Sequence, residues 1–291
     1  PIETIFLVVA FLALARIRSL EALRYQAPGE WGKLLGLDRV PEVKTLREKL
    51  GILCADPERA RAWSSTLARD WMEATPESAG TLYIDGHVRV YHGALTRLPR
   101  RYVSRERLCL RGTTDYWVNA MDGQPFFVVT RPVDDGLLSV LKEEIVPRLQ
   151  TEVPGQPGAE ELAADPLQHR FTIVFDREGY SPKFFAAMRE KRIAVLTYHK
   201  FPGADWGLEE FSARSVRLVN AEEVTLQLAE RGVRLSNGLW VREVRHRDAR
   251  GHQSAILSTD YRSDLTRVAA AMFARWCPGK LLQVYAATLC H

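Results

Sequence analysis

The chain is short of cysteine, with Cys54, Cys109, Cys277 and Cys290 as its four thiols in 291 residues. No two are spaced like zinc ligands, and they form no dense disulfide pattern. That excludes a zinc-ribbon or a disulfide-stapled domain and fits a reducing cytosol. A membrane-spanning run is missing too. The most apolar stretch, Ile5 to Ala15 (I-F-L-V-V-A-F-L-A-L-A), is 11 residues long, against the roughly 20 needed to cross a bilayer. A signal peptide has an apolar region of that size, but the basic segment that should precede it is absent. Glu3 stands before it, and Arg16 and Arg18 follow. A buried helix is the expectation. The sequence also lacks internal repeats and low-complexity tracts. Its first residue is Pro1, not Met, which suggests a start inside a longer reading frame or a trimmed segment.

What is present is ordinary for a folded protein. Hydrophobic residues make up 46% and charged residues 26%. The length allows one large domain or two smaller ones, each with a substantial core. The net charge is +4 with a pI near 8.9, which permits a polyanionic partner without requiring one.

Residues 2 to about 75 carry apolar positions at helical spacing: Ile17, Leu20, Leu23, then Leu34, Leu35, then Val43, Leu46, Leu50. Ala27-Pro28-Gly29 and Arg39-Val40-Pro41 punctuate them. Trp63, Leu67 and Trp71 form a further helical stripe, expected to pack in a core. After Ser78-Ala79-Gly80 the pattern changes. Thr81 to Tyr91 (T-L-Y-I-D-G-H-V-R-V-Y) alternates as a strand does. Leu108 to Leu110 and Pro125 to Thr130 are further strands, with Asp122-Gly123 as a hairpin signal. Together they predict a three-stranded antiparallel meander. Leu137 to Leu149 predicts an amphipathic helix, followed by a Pro- and Gly-rich loop from Val153 to Gly158. Phe171 to Phe175 (F-T-I-V-F) is a continuous apolar run, expected of a strand buried on both faces. Ser181 and Pro182 then start a helix, and Ile193 to Tyr198 is the next strand. Val224 to Leu228, Leu239 to Val244 and Gln253 to Leu257 are strand candidates, and Asp264 to Trp276 is an alanine-rich helix. This order predicts an α/β protein with a ribonuclease-H-like mixed sheet. Its parts are a helical N-terminal region over 1–78, a first part of the core over 79–200, a β-rich insertion over 201–258, and the last core helix with its tail over 259–291.

Asp85 and Asp176 stand out by position. Asp85 falls within the first strand between apolar residues, where a carboxylate needs a partner or a metal. Asp176 falls at the carboxyl end of the buried strand, where sites in open α/β sheets cluster. Two such carboxylates suit Mg²⁺, which takes oxygen ligands and often only one or two from protein. The plainer readings stay open: Asp85-Gly86 as a hairpin turn, Asp176 as a turn former or cap, and Glu178 as a solvated acid or a group supporting the site. His87, His92, His199, Arg177, Tyr180 and Lys200 lie near the candidate site elements, where contact with phosphate and a structural role are both open. Arg97, Arg100, Arg101, Arg105, Arg107 and Arg111 cluster around Tyr102, as phosphate contacts or as an ordinary solvated loop.

Several long strings resemble bacterial insertion-sequence transposases: 82 to 93 (L-Y-I-D-G-H-V-R-V-Y-H-G), 98 to 119 (L-P-R-R-Y-V-S-R-E-R-L-C-L-R-G-T-T-D-Y-W-V-N) and 171 to 182 (F-T-I-V-F-D-R-E-G-Y-S-P), with Gly36 to Leu50 and Gly251 to Trp276. The resemblance spans about 2 to 276. It implies a DDE-type core that holds two Mg²⁺ (or Mn²⁺) ions through Asp, Asp and Glu, with Asp85 and Asp176 as the first two. It also implies double-stranded DNA as partner (transposon ends and target), a homodimer, and a cytoplasmic, nucleoid-associated location. The third acid departs from the family pattern, Tyr-x2-Arg-x3-Glu-x6-Lys. Arg275 matches the arginine, counted with the DNA-contacting residues, but Met272 stands for the tyrosine, Gly279 for the glutamate and Ala286 for the lysine.

The string 278 to 285 (P-G-K-L-L-Q-V-Y) can be encoded as CCA GGA AAA CTT CTT CAA GTA TAT. Read one nucleotide later it gives Gln-Glu-Asn-Phe-Phe-Lys-Tyr, so a frameshift after Cys277 is inferred. Sequencing the gene tests this. Pro278 and Gly279 should also break the last helix. With two acids the expected activity is little or none. The alternatives are a non-catalytic DNA-binding remnant and a resolvase-like nuclease.

Overall fold

The computed structural model describes residues 2–17, 19–93, 96–103, 107–133 and 136–275. Two compact units divide between Thr66 and Leu67, inside one helix. The first holds α1 (Ile2–Leu14), a 3-10 turn (Leu20–Tyr25), α2 (Pro28–Leu34), α3 (Val43–Leu53) and the start of α4 (Pro57–Ala74). Ile5, Val8 and Leu12 fall on one face of α1 and pack with Leu23, Val40, Val43 and Leu46. The expectation of a buried α1 holds for that face only. Ile2, Phe6, Leu7 and Leu14 are exposed, because the helix is apolar all round while its neighbours in the unit cover one side. Trp63 and Trp71 are a correction: both are exposed, and Trp63 stacks on Phe6 with ring centroids 5.4 Å apart. The buried positions of α4 are Ala68 and Met72. No helix among the described residues is long and apolar enough to cross a membrane.

The second unit is built on one mixed sheet. After the short α5 (Pro76–Ala79) come β1 (Thr81–Val90), β2 (Arg100–Val103), β3 (Leu108–Asn119) and β4 (Pro125–Pro132). A helical stretch follows, α6 (Gly136–Val140) and α7 (Val146–Glu152) joined by a π turn, Leu141–Ile145, and then α8 (Ala159–Ala164). β5 (Thr172–Phe175), α9 (Pro182–Glu190) and β6 (Ala194–Tyr198) complete the central part. β7 (Ser212–Arg217), β8 (Glu223–Arg234), β9 (Trp240–Arg247), β10 (Gln253–Ser258) and α10 (Leu265–Ala274) finish the unit. The strand order is β2-β3-β1-β5-β6-β10-β9-β8-β7, with β4 also on β3. β1, β5 and β6 are parallel, and β3 runs antiparallel to β1. β10 pairs antiparallel with β6, so the strands expected as an insertion prolong the same sheet.

Side chains alternate between the faces of a strand. Leu82, Ile84, Ile173, Phe175 and Val195 enter one core with Phe184, Phe185 and Met188 of α9 and with Leu141, Ile145 and Leu149. Tyr83, Val174 and Leu196 enter the other with Val268 and Met272 of α10. All four residues of β5 are buried, as its continuous apolar run predicts.

The hairpin reading of Asp85-Gly86 is overturned. β1 runs straight through it, with Asp85 opposite Trp117 and Gly86 opposite Tyr116. A Cβ at Gly86 would make a tight contact, 3.1 Å from the Tyr116 ring. Asp122-Gly123 does turn the chain between β3 and β4, with Gly123 at φ 93°. β2 and β7 were not anticipated. Both are short, polar and largely exposed, so they carry little alternation.

Candidate functional site

Register brings the two aspartates together. In the parallel pair β1–β5, Ile84 lies opposite Phe175. Asp85 and Asp176 are each the next residue. β5 ends there while β1 runs on, so the carboxylates sit at adjacent positions at the carboxyl end of β5.

Arg275, just past α10, lies between them. Its Nη2 is 3.4 Å from Asp85 Oδ1 and 3.2 Å from Asp176 Oδ2. The placement follows from the fold. Tyr83, two residues before Asp85 and on the same face, donates its hydroxyl to the Ala271 carbonyl at 2.7 Å. Ala271 is one helical turn before Arg275. Asp264 caps the start of α10, its Oδ1 accepting from the Arg267 amide at 2.7 Å. Val268 and Met272 anchor the helix in the core.

The carboxylate side chains are 38% and 42% exposed, whereas the Arg275 side chain is 11% exposed. The acids therefore face solvent and the guanidinium lies on the protein side. Burial raises the Asp85 carboxyl above the usual range; Arg275 opposes that, and Asp176 adds to it by repulsion. The cap reading of Asp176 also holds, since its Oδ1 accepts from the Arg177 amide at 2.6 Å. Capping and pairing use different oxygens of the same carboxylate.

Among the described residues no three His, Cys, Asp or Glu side chains gather as metal ligands. Two carboxylates on neighbouring strands still provide the hard oxygen donors that one Mg²⁺ or Mn²⁺ takes from protein. Gly279 and Ala286, at the expected third-acid and lysine positions, lie outside the described residues, as does Arg105.

The other predicted residues fall into groups. Arg97, Arg100, Arg101 and Arg107 are exposed and Arg111 is half-buried. Arg100 and Arg111 face each other across the β2–β3 pair, where like charges oppose one another. Arg100, Arg101 and Arg111 therefore stand on paired strands and not in a plain loop. Glu178 is exposed and lines a groove with Gly136–Ser139, Lys142 and Glu143. Arg177 rests over the Tyr198 ring and Lys200 beside Phe201. His92 is exposed and His87 half-buried.

His199 belongs to a cluster that the sequence did not announce. Its Nδ1 lies 2.6 Å from the buried Glu243, and it stacks on Tyr180. Burial and then Glu243 raise the Tyr180 hydroxyl. Glu243 also binds Arg245 Nε at 2.7 Å. Glu243 shares the face of Val241, away from α10, so this cluster stands on the opposite side of the sheet from Asp85. The signal available was weak: a lone glutamate two residues before an arginine in a strand.

The sequence matches the family described as "Transposase protein" over residues 1–288, and the chain belongs to that family. No curated protein matches it. Among solved structures it is similar to one described as "Cryo-EM structure of piggyBac transposase synaptic complex with hairpin DNA (SNHP)". The match has 12% identity and a TM-score of 0.48, and it covers 99% of this chain and 60% of that one. A likeness at that level fixes neither topology nor chemistry here.

Proposed function

We propose that the chain is the core of a DDE-type DNA transposase of the insertion-sequence kind, with a ribonuclease-H-like sheet whose first two acids are Asp85 and Asp176. The observation that carries this reading is their meeting at adjacent register positions at the end of β5, joined by Arg275, in a chain of a transposase family. The arrangement β4-β3-β1-β5-β6, antiparallel and then parallel, supports the fold assignment. The expected division into 1–78, 79–200, 201–258 and 259–291 remains part of this proposal, as does a cytoplasmic, nucleoid-associated location.

Asp85 and Asp176 would hold the divalent cation, Mg²⁺ or Mn²⁺. When bound, the cation supplies charge stabilisation at a phosphodiester and activates the attacking oxygen. The residues of the chain position and charge-match the DNA. Arg100 opposite Arg111 is a repulsive pair that a phosphate would relieve. Arg97, Arg101 and Arg107, exposed in the same stretch of chain, would add contacts to double-stranded DNA, whether transposon end or target. A homodimer belongs to the same reading. A family-type second cation needs a third carboxylate. Gly279 cannot supply it, so cleavage and strand transfer should stay near background. The sequence reading of a one-base shift after Cys277 explains that loss.

The test is plasmid DNA mixed with the purified chain. Binding should weaken steeply from about 50 to about 200 mM salt, and nicking in Mg²⁺ should stay near background. Arg100→Ala should reduce binding and the salt slope by about one. Salt-insensitive binding or vigorous Mg²⁺-dependent cleavage would contradict the proposal. Binding with all residual nicking unaffected by Asp85→Asn would favour the second reading, a DNA-binding remnant.

A further inference from the structure

We propose that the Arg275 guanidinium is the resident counter-cation of the Asp85–Asp176 pair, and that a divalent cation enters by taking the place of its Nη2. The inference rests on the reading of the two aspartates as a metal site and deepens it.

A single nitrogen reaches both carboxylates, at 3.4 Å from Asp85 Oδ1 and 3.2 Å from Asp176 Oδ2. A bridging cation would use the same space, with its oxygens drawn in to about 2.0–2.1 Å for Mg²⁺. Adjacent carboxylates repel, and a positive charge between them offsets that repulsion. The guanidinium supplies that charge.

Its position is built in from several sides. The Tyr83 hydroxyl binds the Ala271 carbonyl at 2.7 Å. Asp264 caps the helix, and Val268 and Met272 are buried in the core beneath it. These contacts fix the last turn of α10 over Asp85. The guanidinium is nearly buried while the carboxylates are partly exposed. A cation from solvent therefore meets two negative groups first and a positive group behind them. Two positive charges a few ångströms apart repel, the more so because the guanidinium is largely shielded from water. Loading the site means turning Arg275 away from at least one carboxylate. The arginine thus holds the acids in place at the expense of their affinity for metal.

The test is calorimetric titration of the full chain with Mn²⁺ alone, without DNA. Arg275→Gln keeps a polar side chain, shortens it and removes the charge; it should tighten Mn²⁺ by at least about tenfold. Arg275→Lys keeps the charge on a group that spans the two carboxylates less well, and should tighten it by less. Circular dichroism checks that each variant folds. Unchanged or weaker Mn²⁺ binding by folded Arg275→Gln overturns the proposal. Should that variant not fold, Arg275→Lys decides, and an affinity no higher than that of the unaltered chain overturns it. Asp176→Asn separates the two levels. Mn²⁺ binding that needs Asp176 but ignores Arg275 sinks the exchange alone, whereas binding indifferent to Asp176 sinks the metal site itself.

Discussion

Two charged clusters stand on opposite faces of the same sheet, and they are built differently. In the Glu243–Arg245 cluster both side chains are almost wholly buried. Arg245 reaches Glu243 through Nε at 2.7 Å, Ala204 O and Gln253 Oε1 through Nη1 at 2.8 and 3.2 Å, and Pro202 O through Nη2, and it stacks on Trp206. His199 completes Glu243. Every nitrogen of the guanidinium has a partner: Glu243 on β9, Gln253 on β10, and Pro202 and Ala204 in the loop after β6. That cluster is structural, for it ties a loop to β9 and β10. In the Asp85–Asp176 cluster the acids are open to solvent and share one guanidinium nitrogen. Saturation with burial marks a brace, and partly exposed carboxylates at strand ends fit the ligand site proposed for them. Charge alone does not separate the two. The exposure does.

Removing one side of the brace should cost most. Arg245→Ala leaves Glu243 buried without its main counter-charge and should destabilise by about 3–5 kcal/mol in urea unfolding. A loss under about 1 kcal/mol would break the comparison. Asp264→Ala removes the α10 cap and should cost about 1 kcal/mol. The Thr266 hydroxyl first, and then the Arg267 amide, hold the Asp264 carboxyl below its usual value. The folded-state value is depressed, so this contribution is present above the ordinary carboxylate range. It is lost as pH falls through the folded-state value. Urea midpoints of wild type and variant should therefore converge in acid. Asp176→Asn should change stability by less than about 1 kcal/mol, because that carboxylate is well exposed. A cost matching that of Arg245→Ala would make the open cluster a second brace. His169 gives the smallest effect. Burial, opposed by Asp260, lowers its imidazole below the ordinary value. The associated stability is present above about pH 6.5 and lost as pH falls below it. His169→Gln should flatten that shallow slope in thermal melts.

Much of the central sheet was legible because burial writes itself into sequence. Phe171 to Phe175 announces a strand covered on both faces, and Asp122-Gly123 announces the β3–β4 turn. Asp85 and Asp176 could be named for the same reason: each is a carboxylate directly after buried residues. Their adjacency was not legible, since it depends on the β1–β5 register across some 90 residues of chain. The Arg275 contact was hidden likewise; the family pattern marks the residue but not its partners. The tryptophan stripe on α4 misled because helical spacing tells which residues share a face, not whether that face is covered. β2 and β7 lacked apolar alternation, and pairing along the sheet, not burial, makes them strands.

The central claim is that Asp85 and Asp176 together hold a divalent cation. Fe²⁺ bound in place of Mg²⁺ reduces added hydrogen peroxide to hydroxyl radicals that cut the backbone beside the metal, with ascorbate returning Fe³⁺ to Fe²⁺. Mass spectrometry of the fragments reads the site directly. The account predicts cuts clustered around residues 85 and 176, suppressed by excess Mg²⁺ and absent in the Asp85→Asn, Asp176→Asn double variant. Cuts elsewhere, or the same cuts in the double variant, would contradict it.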